Sequence, residues 1–355
     1  MCVFFSAVSC DMLTDTDPYV SFSWNESSPV TQNMSTVKLD SALLQAGLLG
    51  FADGLLVIRN GSVVAERYYN GYTETTPHNV MSVSKSFLSA LTGLALELGH
   101  IDSLEQSMLQ YFPEYIYQDM DPRKHDITLR HLLTMRMGIR GEAEEDYRVY
   151  HRLYTSDNWI KNTIEEPLVF SPGEHMAYNT FQTHLLSAII TKASSQNTRD
   201  FARANLLYPC GIDVHEWEQG PQGYYFGGNS MFFTPREMAV LGYVYLHKGI
   251  LDGRRIIPEE WIDLTLTAST NRTHPNAWGE LKNYNYAYLW WLGQIGGRDM
   301  FMGYGYGGQF LIVFPAENLI VVTTARSGVD GNTSTQQEWA LFNIVARYIV
   351  PALQD

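Results

Sequence analysis

The sequence predicts an α+β fold in which both chain ends supply strands to one antiparallel sheet that is flanked by helices and encloses a large, mainly helical insert. Two observations predict it. β-type apolar runs occur at residues 54–69 and return at 286–325, and mostly helical patterns fill the residues between them. The expected units are an N-terminal arm (1–36), an α/β domain (37–100 and 281–355) and a mainly helical domain (101–280).

The arm is expected to lack regular structure, because residues 11–36 are polar and show no periodicity. The first ten residues, "MCVFFSAVSC", resemble the end of an apolar export signal before Cys10, yet no positively charged segment precedes them. They are either a truncated signal or ordinary N-terminal residues. A periplasmic or lipid-anchored location and a cytoplasmic location therefore both remain open.

The α/β domain is expected to begin with a short helix, a hairpin and a buried helix. Asp40 is a candidate cap for a helix through "SALLQAG". In "GLLVIRNGSVVAERYY" (54–69) two apolar runs flank Asn60-Gly61, which is the strongest short signal for a β-hairpin. Apolar residues then repeat at helical spacing almost all round "SKSFLSALTGLALEL", which predicts a buried helix that ends at Gly99.

The insert shows several helical patterns separated by long connections. The pattern at 234–249 carries a threonine cap, a proline at the first helical position and a terminal glycine. An aromatic-rich connection runs from Tyr147 to Trp159. Helices are predicted at "ITLRHLLTMRMG" (127–138), "QTHLLSAIITKASS" (182–195), "TPREMAVLGYVYLHKG" (234–249) and "PEEWIDLTLTA" (258–268).

Strand patterns return in the last part of the chain. "YAYLWWLGQ" (286–294), "FLIVFP" (310–315) and "LIVVTTA" (319–325) are apolar runs of strand length, and a "PAEN" turn joins the last two. A final helix is predicted over "TQQEWALFNIVARYIVPAL". These strands are expected to pair with those of the first hairpin.

Composition excludes several classes of function. Of the 355 residues, 45% are hydrophobic and 17% charged, which is typical of a globular protein. The formal net charge of -14 argues against a nucleic acid partner, which requires a basic surface. The three cysteines (Cys2, Cys10 and Cys210) have neither metal-ligand nor redox spacing, and no HExxH motif occurs. No run of 18 apolar residues predicts a membrane span.

The stretch "NVMSVSKSFLSAL" (79–91) contains the first candidate for chemistry, the S-x-x-K pattern of Ser82 and Lys85. A second S-x-x-K, Ser35 to Lys38, lies in the polar arm and is interpreted as chance. Ser82 follows a predicted hairpin and opens a buried helix. It is either a helix cap, a role for which serine is well suited, or a nucleophile.

Physical chemistry gives Lys85 a role beside Ser82. Residues three apart lie on one face of a helix, so the lysine nitrogen can reach the serine oxygen. Burial of a lysine at this position would lower its pKa by desolvation and let it accept the serine proton. Amide groups at the helix start would stabilise an oxyanion. A G-x-S-x-G elbow is absent from the sequence.

Two further stretches are candidates for the same site. Tyr178 follows the turn at Pro172-Gly173 and precedes a predicted buried helix, where it either packs and hydrogen-bonds or takes part in chemistry. "GYGYGGQFLIVF" (303–314) places three glycines before a strand. They form either a flexible turn or a bare strand edge that presents an N–H to a substrate.

Three separated motifs, taken in order, resemble the serine β-lactamase-like family, which includes class C β-lactamases, D-alanyl-D-alanine peptidases, and related esterases and 6-aminohexanoate-dimer (nylon-oligomer) hydrolases. S-x-x-K is Ser82 to Lys85, and Y-x-N followed by paired leucines is Tyr178-Asn179-Thr180 with Leu185-Leu186. The third motif, K-T-G or H-x-G, is Tyr306-Gly307-Gly308 before Gln309. Connecting phrases such as "ITLRHLLTMRMGI" are also similar, and the resemblance covers residues 38–352.

The resemblance implies an acyl-enzyme mechanism. Ser82 would attack a carbonyl carbon, and Lys85 and Tyr178 would share the proton transfers, with either as the base. The backbone N–H of Ser82 and that of Gln309 or Gly308 would hold the oxyanion. No metal or organic cofactor is implied.

The chain departs from β-lactamases at two motifs. Thr180 stands where the family carries asparagine, and Tyr306 and Gly307 stand where it carries lysine and threonine or serine. This pattern is most similar to the esterase and nylon-oligomer branch. Further pocket candidates are Asn229 and Trp290, together with Tyr147 and Trp159 as a substrate-facing wall whose alternative is an ordinary packed loop.

The sequence therefore predicts a serine hydrolase that cleaves small-molecule carboxylic esters or amides. The alternatives are a β-lactamase or D-Ala-D-Ala carboxypeptidase, and a non-catalytic penicillin-binding-like sensor or scaffold. The sequence does not give the oligomeric state.

Overall fold

The computed structural model describes residues 20–145, 147–267 and 279–354. The helices in these residues are α1 (Thr36–Leu48), α2 (Ser84–Glu97), α3 (Leu129–Leu133), α4 (Arg148–Tyr154), α5 (Trp159–Glu165), α6 (Thr180–Ser194), α7 (Thr198–Ala202), α8 (Pro235–Leu246), α9 (Glu259–Thr265) and α10 (Gly331–Ile344). The strands are β1 (Asn25–Glu26), β2 (Ala52–Arg59), β3 (Ser62–Tyr68), β4 (His78–Asn79), β5 (Phe232–Phe233), β6 (Ile250–Leu251), β7 (Arg254–Arg255), β8 (Leu281–Ala287), β9 (Trp290–Ile295), β10 (Arg298–Gly305), β11 (Gln309–Phe314) and β12 (Leu319–Ala325).

The predicted fold class is confirmed. An eight-stranded sheet has the order β1-β3-β2-β12-β11-β10-β9-β8, and β2 pairs antiparallel with β12, so that Val57 lies opposite Val321. Every pair in this sheet is antiparallel except β1 with β3. The two ends of the chain thus share one sheet, and the helical segments lie between them in sequence.

Both faces of the sheet are buried. On β2, Leu56 and Ile58 join the core that contains α2 and α8, whereas Leu55 and Val57 join the core that contains α1 and α10. Because successive side chains of a strand point to opposite faces, burial on both faces makes such a strand continuously apolar. This explains why the strand runs lack polar alternation.

The hairpin at Asn60-Gly61 is confirmed, since β2 and β3 flank it and both turn residues have positive φ. The predicted cap of α1 is wrong. Ser35 caps that helix by accepting a hydrogen bond from the Lys38 N–H at 3.4 Å, and Asp40 lies inside it. The second S-x-x-K pattern of the sequence is therefore a helix start.

The sequence predicted a single strand over the apolar run at 286–294, and this prediction is wrong. It spans the end of β8, a turn at Tyr288-Leu289 and most of β9. Both turn residues have positive φ, although neither is a glycine or asparagine. The Ser86 Oγ donates a hydrogen bond to the Leu289 carbonyl at 3.1 Å, and Arg130 donates to the Tyr288 hydroxyl, which holds this turn against the helices.

Two other elements differ in extent from the expectation. The helix predicted over 127–138 is only α3, five residues long, and part of the predicted arm forms β1 beside β3. One hydrophobic core includes Leu56 from the sheet and Leu132 from the insert. The division into two domains at residues 100 and 280 therefore stays a prediction. Within the described residues, no helix has the length and apolarity to cross a bilayer.

Candidate active site

Ser82 lies in a tight turn between β4 and α2 rather than at the cap of the helix. The turn spans Met81–Val83, and Met81 has a φ of +51°, which is unusual for a side chain of its size. The Met81 N–H donates to Asn79 Oδ1 at 2.9 Å, and the Val80 N–H donates to the Met231 carbonyl at 2.9 Å. These contacts hold the turn so that the half-buried Ser82 precedes the helix.

Lys85 points directly at Ser82. Its Nζ lies 2.7 Å from Ser82 Oγ, 3.1 Å from Thr180 Oγ1 and 2.7 Å from the Gly228 carbonyl oxygen. The residue is only 1% exposed, and burial lowers the pKa of Lys85 to about 7. A large fraction of this amine is therefore neutral near pH 7. A neutral amine can donate to Thr180 and Gly228 and accept the Ser82 proton with its lone pair.

A buried carboxylate that the sequence analysis missed, Glu142, completes this network. It accepts a hydrogen bond from the Thr180 N–H, and its own N–H donates to the Tyr178 carbonyl at 2.8 Å. Burial raises the pKa of Glu142, and the nearby Lys85 charge opposes that shift. In return, the Glu142 carboxylate raises the pKa of Lys85 against the effect of burial. The sequence "GEAEED" (141–146) contains no pattern that distinguishes Glu142 from the neighbouring acidic residues.

Tyr178 lies against the same two groups. Lys85 Nζ is 4.9 Å from the centre of its ring. Burial raises the pKa of Tyr178 above its usual value, and a hydrogen bond with the Ser82 side chain opposes this shift. Tyr178 is therefore a neutral hydroxyl at pH 7 and can donate a proton. Its ring stacks on Trp291, with the ring centres 6.0 Å apart.

The helix α6 positions Tyr178 and Thr180. Asn179 caps it by accepting a hydrogen bond from the Phe181 N–H at 2.9 Å, and its Nδ2 donates to the Arg140 carbonyl at 3.1 Å. Thr180 is the first helical residue and is 3% exposed. A Cβ on Gly228 would lie 2.5 Å from Thr180 Cγ2, so only glycine brings the carbonyl of residue 228 close enough to accept from Lys85.

The end of β10 approaches the Ser82 turn. A Cβ on Gly305 would lie 2.5 Å from the Val80 carbonyl oxygen, and one on Gly303 would lie 3.0 Å from Val83 Cγ1. The pairing of β10 with β9 ends at Met302, so Gly303 and Gly305 continue past the neighbouring strand. The side of β10 that faces away from β11 thus has no strand partner here among the described residues, and it passes beside the nucleophile candidate.

The turn after β10 uses most of its own polar groups. The Gly308 N–H donates to the Gly305 carbonyl at 3.2 Å, so the prediction that Gly308 holds an oxyanion does not fit this geometry. The Gly307 N–H donates to Ser334 Oγ at 2.9 Å and to Glu338 Oε1 at 3.0 Å. Gln309 lies opposite Gly305 in the β10–β11 ladder, and its role stays a prediction.

The predicted pocket residues divide into two groups. The Tyr306 hydroxyl donates to the Val329 carbonyl at 2.9 Å, and Asn229 hydrogen-bonds with the Tyr150 side chain. Tyr147 is 43% exposed, and burial of its hydroxyl together with the charges of Glu142 and Glu338 raises the pKa of Tyr147 to about 12. These residues lie around the site.

Trp159 and Trp290 do not face a substrate. Trp159 is 3% exposed and packs with Phe181 and Phe226, so the packed-loop alternative is the correct one for this residue. Trp290 is fully buried beside Tyr245. Its neighbour Trp291, on the opposite face of β9, is the tryptophan that contacts Tyr178.

The chain is similar to known proteins over most of its length. The model of the Beta-lactamase family matches residues 39–343. The 6-aminohexanoate-dimer hydrolase of Paenarthrobacter ureafaciens is 24% identical in an alignment of 292 positions that covers 76% of this chain and 71% of that protein.

Solved structures resemble the fold closely. A putative 6-aminohexanoate-dimer hydrolase from Bacillus anthracis matches with a TM-score of 0.73 and 20% identity, over 94% of this chain and 89% of that one. EstCE1, a hydrolase with promiscuous acyltransferase activity, matches with a TM-score of 0.70 and 16% identity, over 89% of this chain and 100% of that one. At these identities the likeness shows the fold alone.

Proposed function

The chain belongs to the Beta-lactamase family, whose model covers all three candidate motifs, and from this we propose that it is a serine hydrolase that cleaves small-molecule esters or amides through an acyl-enzyme. One observation carries the proposal. A buried lysine whose pKa is lowered to about 7 lies 2.7 Å from the oxygen of Ser82, which is the arrangement of an activated nucleophile. The relatives that are named as hydrolases support it.

Acylation uses the different proton affinities of Lys85 and Tyr178. Ser82 Oγ attacks the carbonyl carbon and passes its proton to the neutral Lys85 amine. Tyr178, whose pKa is raised by burial, keeps its proton until the leaving group departs and then donates it. Lys85 returns the first proton to Tyr178. In the second half-reaction the same pair takes a proton from a water that attacks the acyl carbon, and it gives that proton to Ser82 Oγ as the bond between Ser82 and the acyl group breaks. The two groups act as one proton-carrying unit.

We further propose that the backbone N–H groups of Ser82 and Tyr306 hold the oxyanion. Tyr306 follows Gly305, which lies against the Val80 carbonyl, and belongs to the segment that continues past β9. Among the described residues, none accepts a hydrogen bond from the Tyr306 N–H. The Gly307 and Gly308 N–H groups, by contrast, have acceptors inside the turn. Donors of this kind commonly supply a large part of the rate.

The substrate is proposed to be a neutral ester or amide rather than a β-lactam. The resemblance places the lysine that pairs a β-lactam carboxylate in the third motif, where this chain has Tyr306. A tyrosine hydroxyl is neutral, and here it already donates to the Val329 carbonyl. A charge-assisted contact is roughly twice as strong as a neutral one. Its loss is expected to lower kcat/KM for a β-lactam roughly a hundredfold or more.

The test compares p-nitrophenyl butyrate and nitrocefin on one preparation. We expect clear ester hydrolysis and little or no nitrocefin hydrolysis, and a nitrocefin kcat/KM at or above the ester value would return the chain to the β-lactamase alternative. A fluorophosphonate probe should label Ser82, as mass spectrometry of the modified peptide would show. Absence of both labelling and turnover would favour the non-catalytic sensor.

Ser82→Ala and Ser35→Ala form a matched pair of variants. Ser82→Ala should lose several orders of magnitude in turnover while the fold persists, because the nucleophile is gone. Ser35→Ala should keep full activity, since Ser35 only caps α1 and its loss costs about 1 kcal/mol of stability. Activity that depends on Ser35 and not on Ser82 would contradict the assignment.

A further inference from the structure

A cavity of about 290 Å³ lies apart from the candidate catalytic residues, none of which lines it. It lies between α3, the turn at Gly173, the end of α9 and the turn between β8 and β9. Arg136 and Arg130 contribute guanidinium groups to its wall. Among the described residues, the wall also includes His131, Gly173, Leu264 and Tyr288.

Arg136 is the unusual residue of this cavity. It is half-buried, and its Nε is fully buried without any hydrogen-bond acceptor. No ion pair to Arg136 is formed in the described part of the chain, whereas Arg130 pairs with Glu105 and donates to the Tyr288 hydroxyl. Burial lowers the pKa of Arg136. Because the usual pKa of an arginine is very high, the side chain still stays charged. A partly buried cation without a partner is less favourable than a paired one.

His131 adds a neutral donor. The Thr128 N–H donates to His131 Nδ1 at 3.2 Å, so the proton of the neutral ring is on Nε2. Burial lowers the pKa of His131, which favours this neutral form, and a hydrogen bond with the Asp126 backbone opposes that shift. Gly173 keeps space in front of this nitrogen, because a Cβ there would lie 2.8 Å from Nε2. His131 lines the same cavity as Arg136.

The charge of the wall is opposite to that of the whole molecule. The chain has a net charge of -14, yet the described wall has two arginines and no acidic residue. Leu264 and the Tyr288 ring add an apolar side. A planar guanidinium beside an N–H donor matches the oxygens of a phosphate or a carboxylate, which arginine binds with two parallel hydrogen bonds.

We propose that this cavity binds a small organic anion through a phosphate or carboxylate group held by Arg136 and His131, with the rest of the molecule packed on Leu264 and Tyr288. The ligand would accept hydrogen bonds from the terminal N–H groups of Arg136, a side chain that has no hydrogen bond or ion pair within the described residues. The site is separate from the Ser82 chemistry, so it does not depend on the proposed hydrolase activity.

The experiment titrates inorganic phosphate and, separately, sodium benzoate into the full-length protein in a calorimeter, with sodium chloride at matched ionic strength as the blank. We expect saturable binding of at least one probe. Phosphate binding alone identifies a phosphate ligand, and benzoate binding alone identifies a carboxylate ligand. Absence of saturable binding by both overturns the proposal.

Substitutions at Arg136, with a control at Arg67, locate the site. Arg136→Gln should weaken binding at least tenfold, whereas Arg67→Gln, which changes an exposed arginine on β3, should leave it unchanged. If Arg136→Gln does not fold, Arg136→Lys, which keeps the charge and loses the planar donor pair, should still weaken binding severalfold. Native affinity in either Arg136 variant overturns the proposal. Turnover of p-nitrophenyl butyrate should be unchanged in the folded variants, because the cavity contains none of the proposed catalytic groups.

Discussion

Two opposing effects set the proton affinity of Lys85. Burial disfavours the ammonium form and lowers the pKa to about 7, and the carboxylate of Glu142 favours the ammonium form. Thr180 connects the two groups, because its Oγ1 accepts from Lys85 Nζ at 3.1 Å and its N–H donates to Glu142. A carboxylate in this position keeps Lys85 titrating near neutral pH rather than well below it.

The pH dependence should report this balance. Because the proposed base is the neutral amine, kcat/KM for p-nitrophenyl butyrate should rise as Lys85 loses its proton and be half-maximal near pH 7. Glu142→Gln removes the attraction for the ammonium, so the midpoint should move to lower pH by about one unit or more. Glu165→Gln, an exposed change on α5, is the control and should leave the midpoint in place. A midpoint that moves upward in Glu142→Gln would contradict this account.

Lys85 and Tyr178 should behave as one unit in mutagenesis. Both contact Ser82, and the proton moves between them in each half-reaction of the proposed mechanism. Lys85→Ala and Tyr178→Phe should each remove most of the rate, and the double variant should be little slower than either. The measurement is kcat for the four proteins at one pH above the midpoint. Losses that multiply would show independent roles.

At the scale of elements, the C-terminal helix holds the turn after β10. The Glu338 carboxylate on α10 accepts from the Tyr304 hydroxyl, from the Gly307 N–H at 3.0 Å and from Ser334 Oγ at 2.7 Å. Gln337 Nε2 donates to the Gly307 carbonyl at 2.8 Å. This helix therefore fixes the segment to which the proposed Tyr306 donor belongs, although it lies about thirty residues later in the chain.

Glu338→Gln should lower kcat with little change in KM. The amide replaces one acceptor oxygen with a donor, so the turn loses part of its support and the proposed Tyr306 donor is displaced. The contact that this weakens is one made mainly in the transition state. We expect a loss of roughly tenfold or more, since a poorly placed donor costs less than a deleted one. Gln336→Ala, an exposed change on α10, is the matched control. A rise in KM at unchanged kcat would assign Glu338 to substrate binding instead.

How much the sequence predicts depends on the range of the interaction. Asn60-Gly61 and the Ser82–Lys85 pair are local patterns, and both occur in the structure where the sequence placed them. Whether Trp290 or Trp291 lies beside Tyr178 depends on the register of β9, because adjacent residues of a strand face opposite sides of the sheet. Lys85, which interacts with Glu142, precedes it by 57 residues in sequence, and no local pattern connects the two residues.

The turn at Tyr288-Leu289 shows a different limit. Hairpin turns with positive φ usually contain glycine or asparagine, and neither is present here. Contacts from Arg130 and Ser86, both distant in sequence, hold the turn. Tertiary contacts thus override the local preference, and for this reason the run at 286–294 was predicted as a single strand.

At the scale of the whole molecule, the site depends on how closely the sheet meets the helical part. Gly303 and Gly305 on β10 face the turn that carries Ser82. At Gly305 the near atom is the Val80 carbonyl oxygen, which is backbone and cannot rotate away. At Gly303 the near atoms belong to the side chains of Val83 and Ser86. Both glycines therefore allow β10 to lie close to the Ser82 turn, but an added methyl group should be tolerated better at Gly303 than at Gly305.

This difference gives a graded prediction. Gly305→Ala would place a Cβ 2.5 Å from the Val80 carbonyl oxygen, so the strand or the turn must shift and displace the proposed oxyanion donors from Ser82. A displacement of about 1 Å can cost roughly a hundredfold in rate. Gly303→Ala meets Val83 Cγ1 at 3.0 Å, and a small side-chain adjustment should limit the loss to a fewfold. Gly328→Ala, with nothing within 4 Å, should be neutral. The measurement is kcat/KM for p-nitrophenyl butyrate with the melting temperature of each variant, and full activity in a folded Gly305→Ala protein would show that the approach of β10 does not matter for the chemistry.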